Sequence, residues 1–285
     1  MNIYSNPTIL LAGTGSLASE LTDSFRKSSR FQVSFLDSDR ISDLEFFLSQ
    51  LKEVPQVIIL ASFNSIVPNH LLTESSLWLN LHAGILPNYR GFHANAWAIL
   101  RNETYIGYTL HQVIESFDSG AIFFCHKEPI HPTQTYAEAR PALLKHMIEN
   151  TPNVVGRILD GSLQPQAQNE NKSFVCKKIS PEFGYIGYWS KKSQDIYNLY
   201  RVMAAPLGSG IYTNFKNFRL DIERLQLVEE VIHSNAQAGT IIEVKKDNSV
   251  LVRTIDGALR ITQMKFNTQT KLVSGYLKLG SQLGE

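Results

Sequence analysis

Residues 79–122 read LNLHAGILPNYRGFHANAWAILRNETYIGYTLHQVIESFDSGAI, and the rest of the chain is organised around them. Asn80 and His82 alternate at the end of an apolar run, Leu77-Trp78-Leu79. Alternate side chains of a strand share a face, so the amide and the imidazole point the same way at its C-terminal end. A proline–glycine loop, Gly84 to Gly91, follows. Then come a helical stretch, a strand from Tyr108 to Val113, and a loop with Asp118 and Gly120. An amide, an imidazole and a carboxylate are expected to converge at the carboxyl end of a parallel sheet, where open α/β folds hold ligands.

Upstream, Thr8 to Ala12 reads as a central parallel strand. It runs into Gly13-Thr14-Gly15-Ser16-Leu17-Ala18 and a helix over Leu17 to Lys27, and Asp37 follows a strand from Val33 to Leu36. This G-x-G-x-x-A pattern has two readings. One is NAD binding, with pyrophosphate on the helix N-terminus and ribose on the carboxylate. The other, preferred here, is the glycine turn joining the first strand and helix of any doubly wound sheet. A helix over Ser42 to Leu51, a strand over Gln56 to Ala61, a short helix over Val67 to Glu74 with Pro68 in its first turn, and a strand over Trp78 to His82 complete this half. Alternating strands and helices predict an α/β fold: a mostly parallel, Rossmann-like sheet with helices on both faces.

Downstream, Ala121 to Cys125 reads as a strand. Tyr136 to Leu159 reads as a long helix, with Leu143, Leu144, Met147, Val154, Val155 and Ile158 in helical period. Phe92, Trp97 and Tyr108 read as core. Residues 164–173, QPQAQNENKS, read as a structureless surface loop. After a helix over Ser193 to Met203 the hydrophobic period becomes two. Short strands are expected over Ile211–Phe218, Arg224–Val231, Thr240–Val244, Val250–Thr254 and Leu259–Met264, with turns at Asp247-Asn248 and Asp256-Gly257. The expected organisation is a catalytic domain over residues 1–176, a linker and connecting helix over 177–204, and a small β-barrel domain over 205–285.

The chain is 43% hydrophobic and 19% charged, with net charge +1 and no block of like charges. That balance neither demands nor excludes a polyanionic partner. Cys125 and Cys176 make no disulfide framework, MNIYSNPTILLAGTGS lacks a basic leader, and no apolar run reaches membrane-spanning length. A cytoplasmic location without a membrane partner is the expectation.

At Asn80-Leu81-His82, Gly84-Ile85-Leu86-Pro87 and Asp118-Ser119-Gly120 the chain resembles the folate-dependent formyltransferases. These include methionyl-tRNA formyltransferase, glycinamide ribonucleotide transformylase and the amino-sugar formyltransferases. Tyr89-Arg90-Gly91 and Gly107-Tyr108-Thr109-Leu110-His111 fit the same pattern. Residues 175–180, VCKKIS, resemble the point where methionyl-tRNA formyltransferases leave the catalytic domain. The resemblance implies an open, OB-like barrel at the C-terminus, no dinucleotide at Gly13, and 10-formyltetrahydrofolate as co-substrate. It makes Gly84, Ile85, Leu86 and Pro87 the folate signature, although the family more often has serine at the first of these, so that Gly84 lacks a hydroxyl.

Formyl transfer to an amine passes through a tetrahedral intermediate. It needs a base near neutral pKa and a donor aimed at the oxyanion. His82 suits the first task and the Asn80 amide the second. Asp118 would orient the imidazole, favour its cation and hold a water for proton relay. The resemblance implies the same three roles. Arg90 is a candidate on the acceptor side. The alternatives are a zinc site of His82, His93, His111 and Cys125, in which no pair has a standard ligand spacing; a NAD-dependent dehydrogenase using Gly13, Gly15 and Asp37; and a non-catalytic binding protein. No metal is expected. Methionyl-tRNA enzymes carry a basic insertion, whereas Asp37 to Pro55 is short and mixed in charge. The basic concentration at Lys172, Lys177, Lys178, Lys191 and Lys192 reads as a solvated linker. The C-terminal GYLKLGSQLG, residues 275–284, resembles the amino-sugar enzymes more. The expected acceptor is therefore a nucleotide-linked amino sugar, with methionyl-tRNA as the alternative.

Overall fold

The computed structural model describes residues 6–228, 234–266, 269–272 and 277–284. The end of the strand expected over Arg224–Val231, and Gly275 and Tyr276 of the C-terminal resemblance, lie outside the described residues. The chain forms two compact units. The first comprises Met1–Asn95, Tyr105–Pro129 and Arg140–Lys178, and the second Ala96–Thr104, Ile130–Ala139 and Ile179–Glu285.

The first unit is built on β1 (Thr8–Gly13), α1 (Gly15–Lys27), β2 (Gln32–Asp37), α2 (Ile41–Ser49), β3 (Val57–Ala61) and β4 (Leu77–His82). In chain order there follow the two-residue β5 (Arg90–Gly91), α3 (Ala94–Leu100, which belongs to the second unit from Ala96 on), β6 (Tyr105–Gln112), β7 (Ile122–Pro129), α4 (Tyr136–Leu159, which belongs to the first unit from Arg140 on) and the two-residue β8 (Val175–Cys176). The sheet order is β2-β1-β3-β4-β6-β7. The first four strands are parallel; β6 pairs antiparallel with β4, and β7 antiparallel with β6. β1 and β3 are continuous apolar runs because both faces are covered. Leu10, Ala12, Ile58, Leu60 and Trp78 cluster with Leu44 of α2 on one face. The intervening Ile9, Leu11, Ile59 and Leu79 are buried on the other. Leu17, Leu21 and Phe25 are the buried stripe of α1, and Ser24 Oγ donates to the Ile148 carbonyl of α4 at 2.8 Å.

Gly13 owes its identity to strand packing. A Cβ at this position would overlap the Ala61 carbonyl of β3, and the residue sits at φ +155. This closeness accounts for the first glycine of the G-x-G-x-x-A turn without any dinucleotide.

Two expectations need correction in these units. The helix expected over Val67–Glu74 is a single 3-10 turn, Asn69–Leu71. Pro68 stays extended and Leu72 leaves the helical region at ψ 66, because Leu77 N–H is already bonded to the Gln56 carbonyl and the chain must straighten into β4. In the second unit, the strand expected over Ile211–Phe218 is a hairpin. Lys216 and Asn217, at φ 48 and 65, form a two-residue turn between β9 (Ile211–Phe215) and β10 (Phe218–Leu227). That turn carries no glycine, so its sequence did not announce it.

The second unit also contains α5 (Ser193–Met203), β11 (Ile241–Val244), β12 (Val250–Arg253), β13 (Ala258–Phe266) and β14 (Gln269–Leu272). Its antiparallel sheet has the order β11-β12-β13-β10-β9, with β14 on β13. Arg201 of α5 is 2% exposed and draws in the segment 130–139. It donates to the carbonyls of Gln134 and His131 and to Asn198 Oδ1 at 2.8, 3.2 and 3.2 Å. Among the described residues, no helix is long and apolar enough to cross a membrane.

Replacing Gly13 with alanine should destabilise the protein by about 3 kcal/mol, through overpacking and left-handed strain together. Urea unfolding followed by circular dichroism checks this; an unchanged midpoint would remove the packing role.

Candidate active site

The site begins with a cross-strand register. β4 and β6 pair so that Asn80 lies opposite His111 and His82 opposite Thr109. Directly opposed residues share a face, so four polar side chains come together on one side of two strands. Because β6 runs antiparallel, its carboxyl end (Gln112) lies opposite Leu79, and the chain must fold back to bring Asp118 to the same place. Gly107 and Thr109 of β6 fix the neighbouring loop. A Cβ at Gly107 would strike Ile85 and the His126 carbonyl. Thr109 Oγ1 donates to the Gly84 carbonyl at 2.7 Å and accepts from Leu86 N–H at 3.1 Å. Asn95 locks the Gly107 peptide with two hydrogen bonds of 2.7 and 2.8 Å.

Asn80, His82 and Asp118 form one constellation. Asp118 is 4% exposed. Its Oδ2 accepts from Gly91 N–H at 2.8 Å and lies 3.3 Å from His82 Nδ1. Its Oδ1 accepts from Asn80 Nδ2 at 3.2 Å and lies 3.4 Å from His111 Nε2. His82 Nε2 lies 2.7 Å from the Tyr89 carbonyl, which can only accept, so Nε2 carries a proton. His111 Nδ1 lies 2.8 Å from the Gln112 carbonyl, and its Nε2 lies 3.1 Å from Asn80 Nδ2.

Burial lowers the His82 pKa. The Asp118 charge opposes that shift, His111 adds to it, and the Tyr89 carbonyl opposes it. Burial by itself would raise Asp118. The hydrogen bond with His111, the His82 charge and Gly91 N–H outweigh it, and the carboxyl is held below its ordinary range. The pair is thus a carboxylate beside an imidazole that is neutral but has an acceptor facing each nitrogen.

Asn80, His111 and Asp118 form the polar end of a cleft open to solvent, walled by Leu60, Phe63, Val67, Ile114 and Phe117. His82 lies behind Asp118, not on the cleft wall, and is 7% exposed. Gly84, Ile85, Leu86 and Pro87 do not line this cleft either. Leu86 is buried and the loop is pinned to Thr109. Gly84 faces His82, and a Cβ there would press on Nε2 of that ring and on the Ala94 methyl. A serine at this position would have to displace the imidazole.

Arg90 is turned on the chain itself. It donates to Gln168 Oε1 from Nε and Nη2 at 3.2 and 2.7 Å, and bidentately to Glu170 at 2.8 and 2.7 Å. The segment 164–173, expected to be structureless, is therefore ordered around the site; Gln166 also bridges to Ile122. Phe92, expected in the core, is 41% exposed and faces Phe117 with ring centroids 6.2 Å apart. Lys172, Lys177, Lys178, Lys191 and Lys192 are exposed. Among the described residues, no group of three His, Cys, Asp or Glu side chains could hold a metal ion.

From sequence, no part in the Asn80–His82–Asp118 set fell to His111, weighed there only as a zinc ligand, or to Gln168, the Gly91 N–H and the Tyr89 carbonyl. His111 carried a detectable signal: it shares parity with Gly107 and Thr109. Using that signal required knowing that β6 pairs antiparallel with β4.

Residues 18–155 match the formyl transferase family and residues 178–276 match the formyl transferase C-terminal domain. Methionyl-tRNA formyltransferase of Halothermothrix orenii is 28% identical over 260 residues, covering 87% of this chain and 81% of that protein. The N-formyltransferase of Helicobacter canadensis, solved with folinic acid and dTDP-3-aminofucose, has a similar fold. Its TM-score is 0.67 at 20% identity, over 91% of this chain and all of that one (100%). HypX of Aquifex aeolicus with tetrahydrofolic acid gives a TM-score of 0.63 at 19% identity, over 93% of this chain but only 45% of HypX.

The depressed pKa values set a pH dependence. The unfolded chain protonates His82 near its ordinary value of 6.5 while the folded chain does not, so the unfolded state binds more protons below that pH. Stability should fall as pH drops from 7.5 to 5.5, and fall again below about 4, where the unfolded chain takes up a proton that folded Asp118, held below its ordinary range, does not. His93 and His146 are shifted in the same direction, so the contribution of His82 is read by difference. His82→Gln should flatten the urea midpoint against pH between 7.5 and 5.5; a slope equal to wild type would refute the buried neutral imidazole.

Proposed function

Since the chain belongs to the formyl transferase family through both its N-terminal and C-terminal domains, we propose that it transfers a formyl group from 10-formyltetrahydrofolate to the primary amine of a nucleotide-linked amino sugar. The reading rests on one observation above all: a buried carboxylate, an imidazole and a carboxamide meet at the end of an apolar cleft. An apolar cleft with a few convergent polar groups suits a flat, polar-edged heterocycle. The two structural neighbours were solved with tetrahydrofolic acid and folinic acid, which supports the same co-substrate.

The acceptor nitrogen attacks the formyl carbon, and the carbonyl oxygen becomes an oxyanion. Asn80 stabilises it by turning to it the amide hydrogen now 3.2 Å from Asp118 Oδ1, the longer of its two contacts. The ammonium proton leaves through Asp118, which borders the cleft, and rests on His82 Nδ1. There the cation has the carboxylate on one nitrogen and the Tyr89 carbonyl on the other. Collapse breaks the bond to the folate nitrogen, which takes the proton back.

For the acceptor, the segment between β2 and β3 carries Arg40 and Lys52 against Asp39, Asp43, Glu45 and Glu53. A net-negative segment is a poor grip for a phosphate backbone. That favours a small acceptor. Methionyl-tRNA is the second reading, supported by the names of the sequence relatives.

Incubation with 10-formyltetrahydrofolate and either a nucleotide-linked amino sugar or methionyl-tRNA, read by mass spectrometry, tests both. Calorimetry should detect folinic acid binding and no NAD binding; the reverse pattern would overturn the assignment in favour of a dehydrogenase. His82→Ala and Asp118→Asn should lower kcat while largely sparing the folinic acid Kd, because proton transfer acts in the transition state. Asn80→Ala should cost roughly 10²–10³ in rate. The His82/Asp118 double mutant should lose less than the sum, since both serve one event. Near wild-type turnover of His82→Ala would remove it from the mechanism.

A further inference from the structure

Asp118 sits in the left-handed region at φ 50, a conformation that non-glycine residues adopt only when their surroundings enforce it. The direction of its carboxylate, towards His82 on one oxygen and Asn80 on the other, depends on that backbone conformation. One side chain outside the constellation grips this turn. Gln168 Nε2 donates to the carbonyl of Asp118 at 2.9 Å and to the carbonyl of Gly120 at 2.7 Å. Its Oε1 accepts twice from Arg90, and Arg90 is held bidentately by Glu170.

We propose that Gln168 is a positioning residue: it fixes the Asp118–Gly120 turn through two carbonyls and so aims the carboxylate, with Arg90 and Glu170 as its brace.

The chemistry of the contacts requires a carboxamide. Two hydrogens must go to backbone carbonyls at one end, and an oxygen must accept from a guanidinium at the same time. A carboxylate offers only acceptors, and lysine or arginine only donors. The brace also closes on itself. Arg90 precedes Gly91, whose N–H binds Asp118 Oδ2, and β5, which these two residues form, pairs with β8 just beyond Glu170. The segment 164–173 thereby holds the backbone side of Asp118 while its neighbour in β5 holds the side chain. Gly120 leaves the turn little slack, because a Cβ there would strike the Gln112 carbonyl. Arg90 acts, on this account, through Gln168 rather than on the acceptor.

The catalytic meaning rests on the proposed function, but the test does not need an acceptor. Gln168→Glu keeps an acceptor for Arg90, now as an ion pair, and removes both donors. If Gln168 only anchored the 164–173 segment through Arg90, this variant would behave as wild type. The expected result is faster amide exchange over residues 118–120 and a downward shift of the His82 titration midpoint in long-range proton–nitrogen NMR spectra, because a displaced Asp118 no longer favours the imidazolium. The folinic acid Kd should change less than about threefold, while kcat, once mass spectrometry supplies an acceptor, should fall about 10–100-fold, as expected for misplacement on the order of 1 Å. Should Gln168→Glu fail to fold, Glu170→Ala, at an exposed residue, carries the test with a smaller shift in the same direction. Wild-type exchange and an unshifted His82 titration in the folded variant overturn the proposal. Absence of folinic acid binding or formyl transfer in the wild type would instead count against the proposed function and leave the NMR result to decide the role of Gln168.

Discussion

Asp118 keeps a charge where water is almost excluded, and the surrounding structure is arranged around that requirement. An unpaired buried carboxylate would take up a proton, because desolvation favours the neutral form. Gly91 N–H, the Asn80 amide and two imidazoles supply the compensation. They come from three segments: β5, β4 and β6. Removing any of them leaves the same charge with less support, which is why such networks fail as units rather than by parts.

Meeting that requirement explains features far from the carboxylate. The β4–β6 register has to put His111 beside Asn80, and a shift by one residue would send both to opposite faces. Thr109 and Gly107 then hold the Gly84–Pro87 loop, which passes the Tyr89 carbonyl across His82. Gly84 leaves room for that ring. The loop that resembles a folate signature packs on the imidazole, and the cleft beside Asp118 is walled by residues of β3, the segment after it, and the stretch leading into Asp118.

The electrostatics of His82 follow from the same geometry. Both ring nitrogens face acceptors, which suits the cation, yet burial depresses the pKa. An imidazole with solvation withheld and acceptors already in place is poised to receive a proton without reorganising its surroundings, the kind of preorganisation from which enzymes draw transition-state stabilisation.

Local patterns carried the periods and the ordered motif. Four apolar runs with intervening helical stretches are enough to predict the parallel part of the sheet, α4 was readable to its ends from periodicity, and the order of Asn80, His82 and Asp118 along the chain carried the resemblance that made them candidates. Such features depend on contacts near in sequence or on a repeat that each residue displays by its own polarity. What the tertiary structure decided depends on groups that polarity does not mark: the direction of β6, the backbone N–H of Gly91 and the carbonyl of Tyr89, the Lys216-Asn217 turn, and the attachment of residues 130–139 to Arg201. Gln168 is the clearest case. In QPQAQNENKS it is one polar residue among many, and only folding brings its carboxamide within reach of two carbonyls and a guanidinium supplied by positions at least 48 residues away.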